Sequence, residues 1–335
     1  MSLLDFLRDT SGPSVAVELA ADHVSAASVE TRAGVPVVSV HASEPLPAGV
    51  LVPSLTSPNI LNRATVMTAL QRVLERTGNP RRIGLVVPDL TAKVSLVRFE
   101  HVPARSADLD QLVRWQVRKA APFPIEDAQV SYQPGFKAPD GQEFIVSLAK
   151  RSVIEDYENL CADAGAHAGI VDLATFNVIN AALAEMSSEQ PSAGRPAGQA
   201  GDDNAQDWLL VNIAADYASI AIMRGADLIF FRNRATDSEG TLFDVVHQAA
   251  MYYEDRLQGA GFARAFLTGS AAAQARQSAD VDDLRRNLQD RLQKPIEAVD
   301  ASRAANLTDR ITVSPTLLDT LAPLVGLLLR GRAAA

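Results

Sequence analysis

The sequence predicts an α/β chain of two related lobes, the first of which carries a small α+β insert. Three observations predict it: a run of three short strands that occurs twice, a helix and a further strand after each run, and a polar stretch between the copies. The first run spans Val15 to Ser43 and reads VAVELA, VSAASVET and VPVVSVHAS. Short apolar or alternating runs bounded by turn residues are a strand pattern. The second run spans Trp208 to Ala235 and reads LLVNIA, ASIAIM and DLIFFRNRA. Glu18 to Ser25 (ELAADHVS) aligns with Asn212 to Ser219 (NIAADYAS), so each first turn is Ala-Ala-Asp with a serine three places on.

The elements after each run repeat too. Asn62 to Thr77 has apolar residues at Val66, Ala69, Leu70, Val73 and Leu74, a helical period, and Gly78 ends it before the strand IGLVVP. Thr241 to Leu257 sets Phe243, Val246, Ala250, Tyr253 and Leu257 on one helical face, and the strand AFLTG follows from Ala265. Three antiparallel strands, a helix and another strand make a ribonuclease-H-like unit, and two such units make the actin-like two-lobe plan. Between them, Ser187 to Asp207 is rich in Ser, Gly, Pro, Ala, Gln and Asp and too poor in apolar residues to build a core, so it reads as a disordered linker. The expected division is therefore 1–92 with 170–186 as the first lobe and 93–169 as the insert, then 187–207 as linker and 208–335 as the second lobe.

Composition narrows the function classes. A length of 335 residues suits two lobes better than one core. A formal charge of −9 argues against a nucleic-acid partner, because the sequence has no electrostatic footprint for wrapping a phosphate backbone. Cys161 is the only cysteine, which excludes internal disulfides and thiolate metal clusters and fits a reducing cytoplasm. The most apolar run, Leu321 to Leu329, is about half the ~20 residues of a membrane span. The opening MSLLDFLRD lacks the features of a signal peptide, and its Leu3, Leu4 and Leu7 predict a short amphipathic helix docked on its own lobe, with a membrane foot as the alternative. The histidines at 23, 41, 101, 167 and 247 show no metal-ligand spacing, with His247 read as half-buried and structural. Rossmann and Walker loops and a nucleophile elbow are absent, so neither a catalytic residue nor a metal site is predicted.

The insert and the segments after it carry a family resemblance. VRWQVRKAAPFPIEDAQVSY, from Val113 to Tyr132, resembles the helix, Pro-Phe-Pro and acidic residues of PilM, the actin-like protein of type IV pilus assembly. FIVSLAKRSVIEDYENLCADAGAHAGIVDLATFNVINA, AFLTGSAA, KPIEAVD and APLVGLLLRG resemble later segments of that family in the same order. FtsA and the cytoplasmic part of GspL are more distantly similar, and a GspL-like secretion protein is one alternative. The resemblance implies a cytoplasmic protein peripheral to the inner membrane, which it meets only through a partner. That partner would be a PilN-like membrane protein, whose cytoplasmic N-terminal tail enters a groove near the insert. Contacts with itself and with cytoplasmic pilus motor components are also implied.

In actin-like ATPases the first hairpin loop of each lobe grips phosphate through close backbone N–H groups, with an Asp nearby for Mg²⁺ and a Lys in the first loop. Here Glu18 stands for the first Asp, Ala20 for the Gly and Ser25 for the Lys. In the second loop Asn212 stands for Asp and Ala214 for Gly, while the nucleoside turn keeps Gly269 but has Ser270 and Ala271 where glycines are usual. Losing a charge-assisted contact costs about 1.5–3 kcal/mol, and several are lost together. The expectation is a degenerate nucleotide cleft, a pseudo-ATPase scaffold with no cofactor. The alternative is a PilM that still binds Mg·ATP through the altered loops and gates its partner with it. Trp115 is expected to pack the insert's helix on its sheet, with Pro122 and Pro124 setting the helix exit. The other reading puts that corner on a peptide groove.

Overall fold

The computed structural model describes residues 12–138, 140–189, 206–236, 241–271 and 280–330. The first run forms the antiparallel strands β1 (Val15–Leu19), β2 (His23–Arg32) and β3 (Val35–Pro45). Helix α1 (Arg63–Arg76) follows, started by the Asn62 side chain accepting from the Thr65 N–H and closed at Gly78 (φ +87°). It buries Val66, Ala69, Leu70, Val73 and Leu74, the face its period predicts. Strand β4 (Arg82–Val87) then lies parallel to β1, and the chain leaves the lobe through a single turn at Asp89–Thr91.

The insert comprises β5 (Ala92–Phe99), α2 (Ser106–Val117), β6 (Ala128–Ala138) and β7 (Gly141–Lys150), with β7 central in a three-stranded antiparallel sheet. Val113 and Val117 of α2 pack on Phe144, Val146 and Leu148 of β7. Trp115 does not join them. It is 68% exposed, because Val113 and Val117 take the inward face and Trp115 points between them to solvent, so the packing expected of it fails. The insert also ends earlier than 169. Helix α3 (Arg151–Asp163) buries Val153, Ile154, Tyr157 and Leu160 against the first lobe, and β8 (His167–Leu173) pairs with β4 in its sheet.

Helix α4 (Ala174–Glu189) carries the chain out of the first lobe, and its helix includes Ser187 to Glu189 of the expected linker. At the linker's other end Asp207 already belongs to the next strand, while residues 190–205 of that linker and the N-terminal segment with Leu3, Leu4 and Leu7 lie outside the described residues. The second run forms β9 (Asp207–Ile213), β10 (Tyr217–Arg224) and β11 (Asp227–Ala235). Helix α5 (Leu242–Arg256) opens with a capping box between Thr241 and Asp244. Its buried face is Val245, Val246, Ala249, Ala250 and Tyr253, turned slightly from the predicted one; Phe243 instead stacks on His247, which is half-buried. Strand β12 (Arg264–Thr268) lies parallel to β9 as β4 does to β1.

After α6 (Asp280–Leu292), β13 (Ile296–Glu297) and the single turn α7 (Ala301–Ala304), the chain returns to the first lobe. There β14 (Asn306–Leu307) pairs with β3, and α8 (Pro315–Arg330) packs beside α4. The expectation that 208–335 all belongs to the second lobe is corrected accordingly: an apolar helix needs cover on several sides, and only the interface between the lobes supplies it. Strand orders are β14-β3-β2-β1-β4-β8 and β11-β10-β9-β12-β13. The result is five layers: α1 and α3, the first sheet, α4 and α8, the second sheet, then α5 and α6. Helices α4 and α8 meet closely at Gly326, where a Cβ would lie 1.7 Å from the Asn177 carbonyl oxygen.

Candidate functional site

Two cavities border the central helices. The first lies in the cleft between the duplicated hairpins, which the structure forms alike. The Ala20 N–H donates to the His23 carbonyl at 3.0 Å, and the Ala214 N–H to the Tyr217 carbonyl at 2.8 Å. Glu18 sits opposite Ser25 across β1 and β2, and Asn212 opposite Ser219 across β9 and β10. Glu18, Ala20, Asn212, Ala214 and Gly269 line one cavity of about 60 Å³. Ser25 and Ser270 do not reach it. Ser25 is buried behind Glu18 and donates to it at 3.3 Å, and Ser270 accepts from Arg285 at 3.2 Å.

Side chains without a motif in the sequence close this cleft. Asp89, fully buried at the exit of β4, accepts from the Thr175 N–H at 3.0 Å, from the Thr175 hydroxyl, and from the Ser219 hydroxyl at 2.5 Å. Its backbone carbonyl accepts from the Asn233 amide at 3.0 Å. The Asn212 amide donates to Thr175 Oγ1 at 2.8 Å and its oxygen accepts from the Thr268 hydroxyl at 2.8 Å. A chain of donors thus runs from Thr268 through Asn212 and Thr175 to the Asp89 carboxylate, and it crosses from the second lobe to the first. Such relays polarise each bond in turn. Burial pushes the Asp89 carboxyl up, and the hydrogen bonds from Ser219 and Thr175 pull it back.

The glycine turn is occupied from within the chain. Asp319 of α8 accepts from the backbone N–H of Gly269 at 2.9 Å and of Ala271 at 3.0 Å. Gly269 has φ +72°, and a Cβ there would lie 1.8 Å from the Ile213 carbonyl oxygen, so the turn tolerates no other residue. At the opposite wall His23 lies 2.8 Å from Asp22 and 3.5 Å from Glu18. Desolvation alone would lower its pKa, but the hydrogen bond to Asp22 and the Glu18 carboxylate beside Nε2 overcome that and hold it up at about 10. The Asp of each hairpin stands in the repeated Ala-Ala-Asp turn, whereas Asp89 carries no signal beyond its place after a strand. Asp319 had no local signal, since only the return of α8 brings it to the turn.

The second cavity, about 720 Å³, runs between the insert and the first lobe. One wall is polar: Gln129, Ser131 and Gln133 point out of β6. The other is apolar, with Ile170 of β8 and Phe176, Ile179 and Leu183 of α4. Both β6 and β8 are edge strands of their sheets. Asp172 pairs with Arg330 at this cavity; burial pushes its carboxyl up, and Arg330 opposes the shift. Trp115 does not line this groove either.

A duplicated β-sheet unit in two lobes over a shared cleft, with a third sheet inserted in the first lobe, defines an actin-like protein. The family described as type IV pilus assembly protein PilM matches residues 16–256, and the chain belongs to that family. Among solved structures, a PilM-PilN type IV pilus biogenesis complex is similar at 16% identity with TM-score 0.76, over 96% of this chain and 99% of that one. A Bacteroides thetaiotaomicron protein with actin-like ATPase fold and unknown function is similar at 11% identity and TM-score 0.46, over 91% of this chain and 96% of that one. The cytoplasmic domain of EpsL, an inner-membrane component of the Vibrio cholerae type II secretion system, gives 11% and 0.46, over 96% and 94%. No curated protein sequence matches the chain.

Proposed function

We propose that this chain is a non-catalytic adaptor on the cytoplasmic side of the inner membrane. It holds the cytoplasmic N-terminal tail of a PilN-like membrane protein in the groove beside the insert, and couples that protein to cytoplasmic pilus motor components. The observation that carries this reading is the contrast in room, about 720 Å³ in the groove against about 60 Å³ in the cleft. Ligand sites typically offer roughly 300–1,000 Å³. An extended peptide suits a groove with two strand edges, polar side chains on one wall and apolar ones on the other. The similarity to a solved PilM-PilN complex supports a tail of that kind as the occupant.

The cleft residues do not fit a Mg·nucleotide. The backbone N–H groups of Gly269 and Ala271 are spent on Asp319, and both ends of the Asn212 amide are engaged. Glu18 and Asp22 line the cleft, but both are paired with His23, which already supplies the positive charge there. We therefore read the cleft as a closed joint between the lobes. Among the described residues no helix is long and apolar enough to cross a membrane, which suits recruitment through a partner.

Calorimetric titration tests both halves. A synthetic peptide of the partner's tail should bind saturably, and Mg·ATP should give no heat and no thermal stabilisation up to millimolar concentration. A site at 100 times its Kd would stabilise the fold by about 2.7 kcal/mol, which a thermal scan detects. ATP binding would replace this reading with a nucleotide-gated PilM, and a tail peptide that does not bind would remove the groove assignment.

A further inference from the structure

Trp115 belongs to neither cavity, and it is 68% exposed, the most exposed large apolar side chain among the described residues. What surrounds it is cationic. Arg118 and Lys119 lie three and four residues on, which places them beside Trp115 on the surface of α2 and the turn that extends it. Lys93, the second residue of β5, reaches the Ala120 carbonyl at 3.0 Å, so it stands at the same helix end. Lys150 closes β7 opposite Ala128, and Arg151 reaches the Ala128 carbonyl at 3.3 Å. Strand pairing puts Lys93 opposite Leu148, and Leu148 faces α2, so Lys93 and Lys150 both emerge on the α2 side of one sheet end.

Among the described residues, none of these five cations forms an ion pair with a carboxylate. Lys93, Lys150 and Arg151 meet only backbone carbonyls. Glu126 and Asp127 are close in sequence, but they form the next turn and pair with none of the five. The neighbouring Arg114 is different, since it is held by Asp110 at 2.9 Å. In a chain of net charge −9, two unpaired cations beside an exposed indole, with three more at the same end of the insert's sheet, are a local reversal of sign. A favourable helix dipole explains a cation or two at the end of α2. It does not explain an indole left in water.

We infer that this end of the insert, with Trp115 at its centre, is a docking face for the anionic lipid headgroups of a membrane surface. Tryptophan has an apolar body and a polar N–H and is favoured at the headgroup level, and nearby Lys and Arg add attraction to anionic lipid. The mouth of the groove supplies the orientation, an argument that rests on the function proposed above. Gln129 lies in that groove and pairs with Ala149 at the same sheet end as Lys93 and Lys150. A membrane protein's tail seated there would bring the cationic end towards the bilayer. The face would then add direct lipid contact to the contact expected through the partner alone.

Flotation of the purified full chain with vesicles tests this, without tail peptide present. The vesicles are phosphatidylcholine alone, or phosphatidylcholine with phosphatidylglycerol. Binding is expected only with the anionic vesicles, and it should weaken as salt is raised. Replacing Arg118 and Lys119 together by Ala should lower partitioning roughly thirtyfold, about fivefold for each cation. Trp115→Ala should lower it several-fold more. These side chains are exposed, so melting of both variants should match the parent, and both should still bind the tail peptide. Conversely Ser131→Trp, which fills the groove, should still float. No flotation overturns the inference and leaves an acidic protein as the better occupant. Equal flotation with both vesicle types, or flotation indifferent to these substitutions, overturns it as well, and neither result bears on the groove.

Discussion

The cleft and the groove share their walls, and yet one is shut and the other open. Ala174 and Val178 of α4 line the cleft, while Phe176, Ile179 and Leu183 of the same helix line the groove. Likewise α8 gives Asp319 to the cleft and Arg330 to the groove. What differs is the chemistry of the facing wall. In the cleft both lobes present polar groups whose donors and acceptors match, so closing satisfies them: Asp89 with Thr175 and Ser219, Asn212 with Thr175 and Thr268. In the groove a polar strand faces an apolar helix, and neither wall can satisfy the other. A buried polar group without a partner costs about 1–3 kcal/mol. Matching walls therefore close, and unmatched ones stay open for a third party.

The largest effect expected from breaking the comparison is at Asp89. Asp89→Ala removes the acceptor of three hydrogen bonds and orphans the Thr175 and Ser219 hydroxyls inside the joint. At about 1–3 kcal/mol for each buried group left unsatisfied, the two hydroxyls together cost about 2–6 kcal/mol, to be read by urea denaturation. Stability equal to the parent would mean that the lobes are held by their apolar contacts alone. Asn212→Asp comes next. The carboxylate cannot donate to Thr175 and would stand in a buried network that already ends on Asp89, so a cost of about 2–3 kcal/mol is expected. The same substitution restores the residue type that Mg²⁺ favours. If it created tight Mg·ATP binding instead of a weaker fold, the cleft would be a mutated site and not a joint.

How much of the molecule was legible in the sequence divides the same way. The duplicated hairpins, α1 and the strand after each helix could be read because each carries its own period, and Val66, Ala69, Leu70, Val73 and Leu74 face inward as that period requires. The convergence of Glu18, Ala20, Asn212, Ala214 and Gly269 on one cavity followed from the repeat. Which lobe α3 and α8 cover could not be read, since an apolar face specifies burial and not the partner that buries it. Trp115 misled for a related reason: a large apolar residue in a helix predicts a core, and only the neighbours at Val113 and Val117 show that the inward face was already taken. Asp89 and Asp319 look like ordinary turn and helix residues until tertiary contacts aim donors at them.

The groove is sharpened by a substitution that fills it. Ser131 is exposed on β6 and lines the cavity, so Ser131→Trp adds bulk without touching a core. Tail-peptide affinity should fall at least tenfold, about 1.4 kcal/mol, with the denaturation midpoint unchanged. An unchanged affinity would place the peptide elsewhere.

The smallest effect is a pH dependence confined to the cleft side. His23 titrates near 10 when folded, against an ordinary value of 6.5, because Asp22 and Glu18 outweigh its desolvation. Its protonated form is therefore favoured by folding. The stability it contributes is fully present below pH 6.5 and is lost as pH rises towards 10. His41 runs the opposite way. Burial, with a smaller push from His23, lowers it to about 4, so its contribution is present above 6.5 and lost as pH falls towards 4. His23→Gln should thus cost about 1–2 kcal/mol at neutral pH, through the lost charge-assisted bonds, and the gap from the parent should shrink as pH approaches 10. Urea midpoints at a series of pH values measure it. Among the described residues no histidine lines the groove, so tail-peptide affinity should stay flat from neutral pH to 10, the range in which His23 titrates. A parallel fall in affinity would mean that the joint and the groove communicate through α4, and that the two regions are one device.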